Sequence, residues 1–209
     1  ARSVRKRLAK AFQPRLFDAK RGCFPDARVN GEFSGVVSEH ANFAAIRWGL
    51  CDKAAAAGII GRLIEHPAIP GVVEAQPFFM PVVLQALARA GRFDLALSLT
   101  RDRWGKRMVD LGATSTYEEW SCNGSWRNGG FAGFQRTQSH AWSACPASFL
   151  VTDLMGLQIL EPGCRKVVVK PHVTPFDYEA AFPTPRGVIR VTCAAGKVRT
   201  YVPKGIVVT

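Results

Sequence analysis

The hydrophobic periodicity of this chain changes once, at Pro162-Gly163, and the change limits what each side can fold into. Before it, apolar residues recur with helical spacing; after it, they alternate or run in short β-branched stretches. Helix signals punctuate the first part. Basic Arg2, Lys6 and Lys10 share one face of a first helix over 2–12, with Val4, Leu8 and Phe12 opposite. Ser38 sits in the cap position before 39–46, and Asp52 caps 53–65, which stops before Pro67. Pro77 opens 78–90 and Gly91 ends it, 94–107 follows after a very short link, and a last long helix is expected over 137–157. Segments 43–50, 78–87 and 149–157 are apolar on nearly every face, whereas 53–65 and 94–107 have polar faces. That alternation predicts an inner and an outer layer of helices. In the last part, 187–193 and 197–202 flank Ala194-Ala195-Gly196, which predicts a hairpin, with strands also at 165–170 and 206–209.

Composition excludes several classes. In 209 residues no apolar run approaches the ~18 residues of a membrane span. The net charge of +12 suits an acidic partner, yet the basic residues are spread along the chain and no nucleic-acid motif accompanies them, so nucleic acid is not expected as a ligand. Six cysteines, Cys23, Cys51, Cys122, Cys145, Cys164 and Cys193, include no C-x-x-C pair. They read as small buried hydrophobes in a reducing compartment, not as zinc ligands. No cofactor or metal is implied. The chain starts at Ala1 and opens directly into a helix without an apolar leader; it reads as part of something longer, with the cytoplasm as the favoured compartment.

The chemistry concentrates in a long polar, glycine-rich link over 112–130, which holds Glu118, Glu119, Trp120 and Trp126. Aromatic rings beside carboxylates suit carbohydrate, since sugar C–H faces lie on rings while carboxylates bind hydroxyls or move protons. Local chemistry offers a second explanation for Glu118. Ser115-x-x-Glu118 has capping-box spacing, in which serine and glutamate satisfy free N–H groups at a helix start.

Four segments in order resemble the bacterial α-L-rhamnosidases of glycoside hydrolase family 78. Trp104-x-x-x-Met108-x-x-x-Gly112-Ala113-Thr114-Ser115-x-Tyr117-Glu118-Glu119-Trp120 is similar to the family's W…M…GATT-x-W-E-x-W signature. Ser139-His140-Ala141-Trp142-Ser143-Ala144-Cys145-Pro146 resembles its S-H-x-W-S-x-x-P helix, and 154–163 its L-x-G-I…P-G ending. Thr184-Pro185-Arg186-Gly187-Val188-Ile189-x-Val191 resembles the T-P-x-G-x-I-x-V of the β-domain that follows.

The resemblance implies a mainly α fold: part of an (α/α)6 six-hairpin toroid over 1–162, then a small antiparallel β-sandwich-like module over 163–209. It implies inverting hydrolysis of terminal α-L-rhamnosides by two carboxylates about 6.5–9.5 Å apart. Glu118 falls on the general base, His140 on a sugar-contacting histidine and Trp120 on a pocket wall, with Glu119, Trp126 and Trp142 as further substrate contacts. No acidic segment like the family's proton-donor region occurs here. The chain is therefore expected to be the C-terminal half of the catalytic domain, inactive alone and completed by the missing N-terminal half of the barrel. The expected ligand is a rhamnose-containing oligosaccharide or glycoside, including an acidic polysaccharide. Two alternatives stay open: a six-hairpin glycosidase acting on another sugar, and a carbohydrate-binding remnant without catalysis.

Overall fold

The computed structural model describes residues 2–120 and 137–209. The chain divides into two compact units, Ala1–Cys145 and Pro146–Thr209.

The first unit is helical. Helix α1 spans Arg2–Leu16, α2 Glu39–Arg47, α3 Lys53–Ile60, α4 Met80–Arg89 and α5 Phe93–Thr100. Single π-helical turns extend α3 through Gly61–Glu65 and α5 through Arg101–Gly105, so both reach about as far as their periodicity predicts. The starts follow from capping chemistry. Ser38, in extended conformation, accepts the Ala41 N–H at 3.4 Å, and Asp52 accepts that of Ala55 at 2.8 Å. The Ala55 N–H and the Gln13 amide hold the Asp52 carboxyl below its usual range. The stops of α2 and α4 share one device. Gly49 and Gly91 take positive φ, and the residue after each donates back to a carbonyl of the last turn (Leu50 to Ala45 and Arg92 to Leu87, both 2.8 Å).

Burial separates the helices as their sequences suggest. Helix α2 buries Phe43, Ala45 and Ile46 together with the polar Glu39 and Asn42, and α4 buries Met80, Val83, Leu84, Ala86 and Leu87. The two pack against each other. Helices α3 and α5 bury only three and two residues, and α1 buries none. Between α1 and α2, a short hairpin pairs β1 (Arg28–Val29) with β2 (Glu32–Phe33) around Asn30-Gly31, both at positive φ. That is the turn chemistry of a two-residue hairpin loop.

Two expectations of helix are corrected. Residues 115–120 are not helical, so Ser115 and Glu118 form no capping box. The expected helix over 137–157 is shorter at both ends. Residues 137–140 pair instead with 116–118, and the helical path begins with a 3-10 turn at Ala141–Ala144. It continues as α6 (Cys145–Phe149) and a π-helical turn at Leu150–Leu154. At the far end Gly156 adopts φ +69° and Leu157 already starts a strand. A local pattern cannot encode either change, because in both the backbone hydrogen bonds go to residues distant in sequence.

The second unit carries two small sheets. In one, β3 (Leu157–Ile159) pairs antiparallel with β4 (Lys166–Val169), which pairs in parallel with β8 (Val207–Val208). In the other, β5 (Tyr178–Thr184), β6 (Gly187–Ala194) and β7 (Lys197–Tyr201) form an antiparallel meander. The predicted hairpin is the β6–β7 connection, with Ala194 opposite Lys197 and with Ala195 and Gly196 at φ 49° and 71°. Met155, Leu157, Cys164, Val167, Ile189 and Val191 form the core of this unit.

Gly156 is the position where this unit tolerates no side chain. Its φ is left-handed, and a Cβ there would overlap the Lys170 carbonyl. Gly156→Ala is expected to destabilise the second unit by more than about 2 kcal/mol. Urea unfolding followed by circular dichroism and by Tyr178 and Tyr201 fluorescence measures this.

Candidate functional site

The site is built on two backbone segments that flank residues 121–136. Glu118 N–H donates to the Thr137 carbonyl at 2.8 Å, and His140 N–H donates to the Thr116 carbonyl at 2.8 Å. The Thr116 hydroxyl returns a bond to the His140 carbonyl at 2.9 Å, and the Ser115 hydroxyl donates to the Gln138 carbonyl. This ladder brings together side chains 22 positions apart in the sequence. Glu118 Oε2 lies 3.7 Å from His140 Nδ1, and the two side chains retain 20% and 26% of their exposure. The same oxygen accepts the Thr137 N–H at 3.2 Å.

An aromatic ring borders this pair. Trp142 lies against the His140 ring with centroids 3.9 Å apart, and its Nε1 donates to the Glu118 carbonyl at 3.3 Å. Phe78 meets the Trp142 ring edge-on, with centroids 5.2 Å apart. Ser143, fully buried, donates its hydroxyl to the Tyr117 carbonyl and accepts Trp104 Nε1–H on its own carbonyl at 2.7 Å.

Trp120 is held separately. Its Nε1–H donates to the Ala75 carbonyl at 2.8 Å, and its backbone N–H donates to Gln76 Oε1 at 3.1 Å. Trp104 packs edge-on at 4.8 Å, and the Arg107 guanidinium lies 5.5 Å from the ring centre. Glu119 is half-buried. Of the candidates read from the sequence, Glu118, His140 and Trp142 converge directly, and Trp120 adjoins them through the chain. Trp126 lies outside the described residues.

The residues that sequence reasoning did not find are the ionic base beneath Trp120. Glu39, at the start of α2, and Arg103, in the π-helical turn after α5, are only 3% and 4% exposed. Arg103 meets both carboxylate oxygens of Glu39, at 2.5 and 2.9 Å. Its Nε lies 3.1 Å from Glu74, which also receives two hydrogen bonds from Arg107 at 2.8 and 2.9 Å. Glu39 Oε2 accepts the Ala75 N–H at 2.8 Å, and the Ala75 carbonyl holds Trp120. Burial pulls the Arg103 pKa down, but the Glu39 hydrogen bond and the Glu39, Glu74 and Asp102 charges outweigh it and hold the pKa above its ordinary value. The only sequence signal was a glutamate in a first helical turn, which is ordinarily a surface residue.

Ser38 and Asn42, near the same helix start, are structural. Ser38 caps α2 and donates to Asp26 at 2.6 Å. The Asn42 amide makes three 2.8 Å bonds, two to the Phe24 backbone and one to the Ser38 carbonyl. His40 stacks on Phe79 at 4.6 Å. Among the described residues, no three His, Cys, Asp or Glu side chains converge to hold a metal, and no helix is long and apolar enough to cross a membrane. The apolar groove along α1, lined by Val4, Leu8, Phe12, Leu16 and Leu50, contains none of the candidate residues.

No protein-family model matches the chain, and no curated protein sequence does. Solved structures do. The GH78 family rhamnosidase of Bacillus sp. GL1 is similar over 97% of this chain at 29% identity, with a TM-score of 0.77. These relatives are α-L-rhamnosidases. The Streptomyces avermitilis α-L-rhamnosidase, solved with L-rhamnose, is similar over 99% of the chain at 21% identity, with a TM-score of 0.67. The α-L-rhamnosidase of Aspergillus terreus is similar over 98% at 19% identity, also with a TM-score of 0.67. The chain spans 22%, 20% and 24% of the length of those three structures, so it matches a fragment of such enzymes. Its helical content and small sheets are compatible with that fragment.

The Arg103–Glu39 pair gives the site's base a sharp mutational signature. Arg103→Met leaves the Glu39 carboxylate buried without its cation and is expected to cost about 3–5 kcal/mol. The double variant Arg103→Met/Glu39→Gln is expected to recover part of that loss. Denaturant unfolding of the four proteins in the cycle measures the coupling.

Proposed function

We propose that this chain carries the general-base half of an inverting α-L-rhamnosidase site, with Glu118 as the base. The observation that carries the reading is the Glu118 carboxylate, held beside His140 and Trp142 by a hydrogen-bonded ladder in a chain similar to a fragment of rhamnosidases. A carboxylate so fixed can take a proton from water while the water oxygen bonds to the anomeric carbon. The bond to the leaving oxygen breaks on the opposite face, where a second carboxyl group supplies a proton. In this reading that acid comes from a segment outside these 209 residues. Residues 1–162 contribute to an (α/α)6 toroid, and 163–209 form a β-module that follows it.

Terminal α-L-rhamnose in an oligosaccharide or glycoside is the ligand the reading favours. The Streptomyces relative, solved with L-rhamnose, supports it. The net charge of +12 is compatible with rhamnose carried on an acidic polysaccharide. Trp120 and Trp142 supply the aromatic faces that sugar C–H surfaces pack on, and His140 and Glu119 supply polar groups for hydroxyls.

The test is hydrolysis of an aryl α-L-rhamnoside by a protein containing this segment, beside its Glu118→Gln variant. The variant is expected to fold normally by circular dichroism and to lose ~10²-fold or more of the rate. A folded variant that keeps its rate removes Glu118 from catalysis. An inert parent that still binds L-rhamnose makes the segment a sugar-binding module. The 209 residues alone are expected to be inert, and turnover by them alone would overturn the assignment of the acid to another segment.

A further inference from the structure

His140 raises a question that its family resemblance does not answer. Its Nδ1 is sealed from solvent and, among the described residues, has no hydrogen-bond partner. A buried polar nitrogen without a partner is rare in a native fold. The ring cannot turn away readily, because the His140 backbone is bonded to Thr116 on both its N–H and its carbonyl, and Trp142 covers the ring face. The acidic group facing it is Glu118, whose Oε2 stands 3.7 Å from Nδ1. If Nδ1 carried a lone pair, it would point at the lone pairs of a carboxylate. If it carries the proton, it points a donor at an acceptor.

We infer that His140 is a positioning residue for Glu118: its Nδ1–H is aimed at Oε2 and fixes the rotation of the carboxylate. The inference rests on the proposed role of Glu118 and deepens it. Oε2 then has two donors, the Thr137 N–H at 3.2 Å and the His140 ring, and Oε1 is the oxygen left to take the proton from water. The present separation is longer than a hydrogen bond of about 2.7–3.2 Å. Catalytic contacts of this kind are commonly long in ligand-free sites and close when substrate expels water. A second consequence concerns the far edge of the ring. With the proton on Nδ1, Nε2 is an acceptor, so the ring receives a hydrogen bond there and cannot give one.

The experiment has two arms. The first uses the full 209-residue chain labelled with 15N-histidine at pH about 9, where ordinary imidazoles are neutral. His140→Gln assigns the His140 signals among those of the four histidines. The expected result is the Nδ1–H tautomer in the wild type and a shift towards Nε2–H in Glu118→Ala. The Nε2–H tautomer in the wild type, or the same tautomer in both, overturns the inference.

The second arm separates positioning from direct ligand contact in a protein that hydrolyses the rhamnoside. His140→Asn keeps an N–H near the Nδ1 position, whereas His140→Gln keeps one near Nε2. The asparagine variant is expected to hold kcat within about threefold, and the glutamine variant to lose on the order of tenfold or more. The reverse order means that His140 donates to the ligand through Nε2–H, and it overturns positioning. If no rhamnosidase activity is found, the reading of Glu118 as a base fails, while the tautomer measurement still decides the geometry.

Discussion

Everything around Trp120 depends on one buried ion pair. Arg103 and Glu39 come from elements 64 residues apart, and both are almost fully removed from water. Isolated, either charge would be expelled or neutralised at a cost of several kcal/mol; together, with Glu74 and the Ala75 N–H completing the set, they are satisfied. The pair brings the start of α2 to the end of the α5 helical path and fixes the backbone at Ala75, whose carbonyl takes the Trp120 indole. Such a pair need not add much net stability against a well-packed apolar substitute. What it adds is a definite geometry, because only one arrangement satisfies all of its donors and acceptors.

From that base the site follows in two steps. Trp104, next to Arg103 in the chain, packs edge-on against Trp120 and donates to the Ser143 carbonyl, which ties the helical end to the segment carrying His140. The ladder between 116–118 and 137–140 then sets Glu118 beside His140 and Trp142. The candidate residues sit on irregular backbone, but that backbone is anchored on rigid helices at several points. A proton-transfer group needs this combination: exposure enough to meet water and fixation enough to hold a carboxylate in one orientation.

The cysteines illustrate how environment, more than sequence spacing, decides chemistry. The five in the described residues are all unpaired. Burial, with the Asp52 charge adding to it, pushes the Cys51 thiol up to about 11, and burial pushes that of Cys145 up to about 12. At neutral pH both are protonated and poorly nucleophilic, which suits packing residues.

Local signals determined most of the first unit from sequence alone. Ser38 and Asp52 start helices and Gly91 stops one, because caps and left-handed glycines act within one turn of chain. The β6–β7 hairpin was equally legible at Ala194-Ala195-Gly196, since turn geometry is set by the turn residues themselves. The candidate cluster was named from sequence because Glu118, Trp120, His140 and Trp142 lie in segments that resemble a known family. What the tertiary structure alone decided is where those residues go. It replaced the capping box at Ser115 and Glu118 with a ladder to 137–140, ended the last helical path at Gly156 against the Lys170 carbonyl, and buried Glu39 and Arg103 as a pair. In each case the deciding contact joins residues far apart in the chain, and a hydrogen bond or ion pair across that distance leaves no trace in the periodicity of either segment.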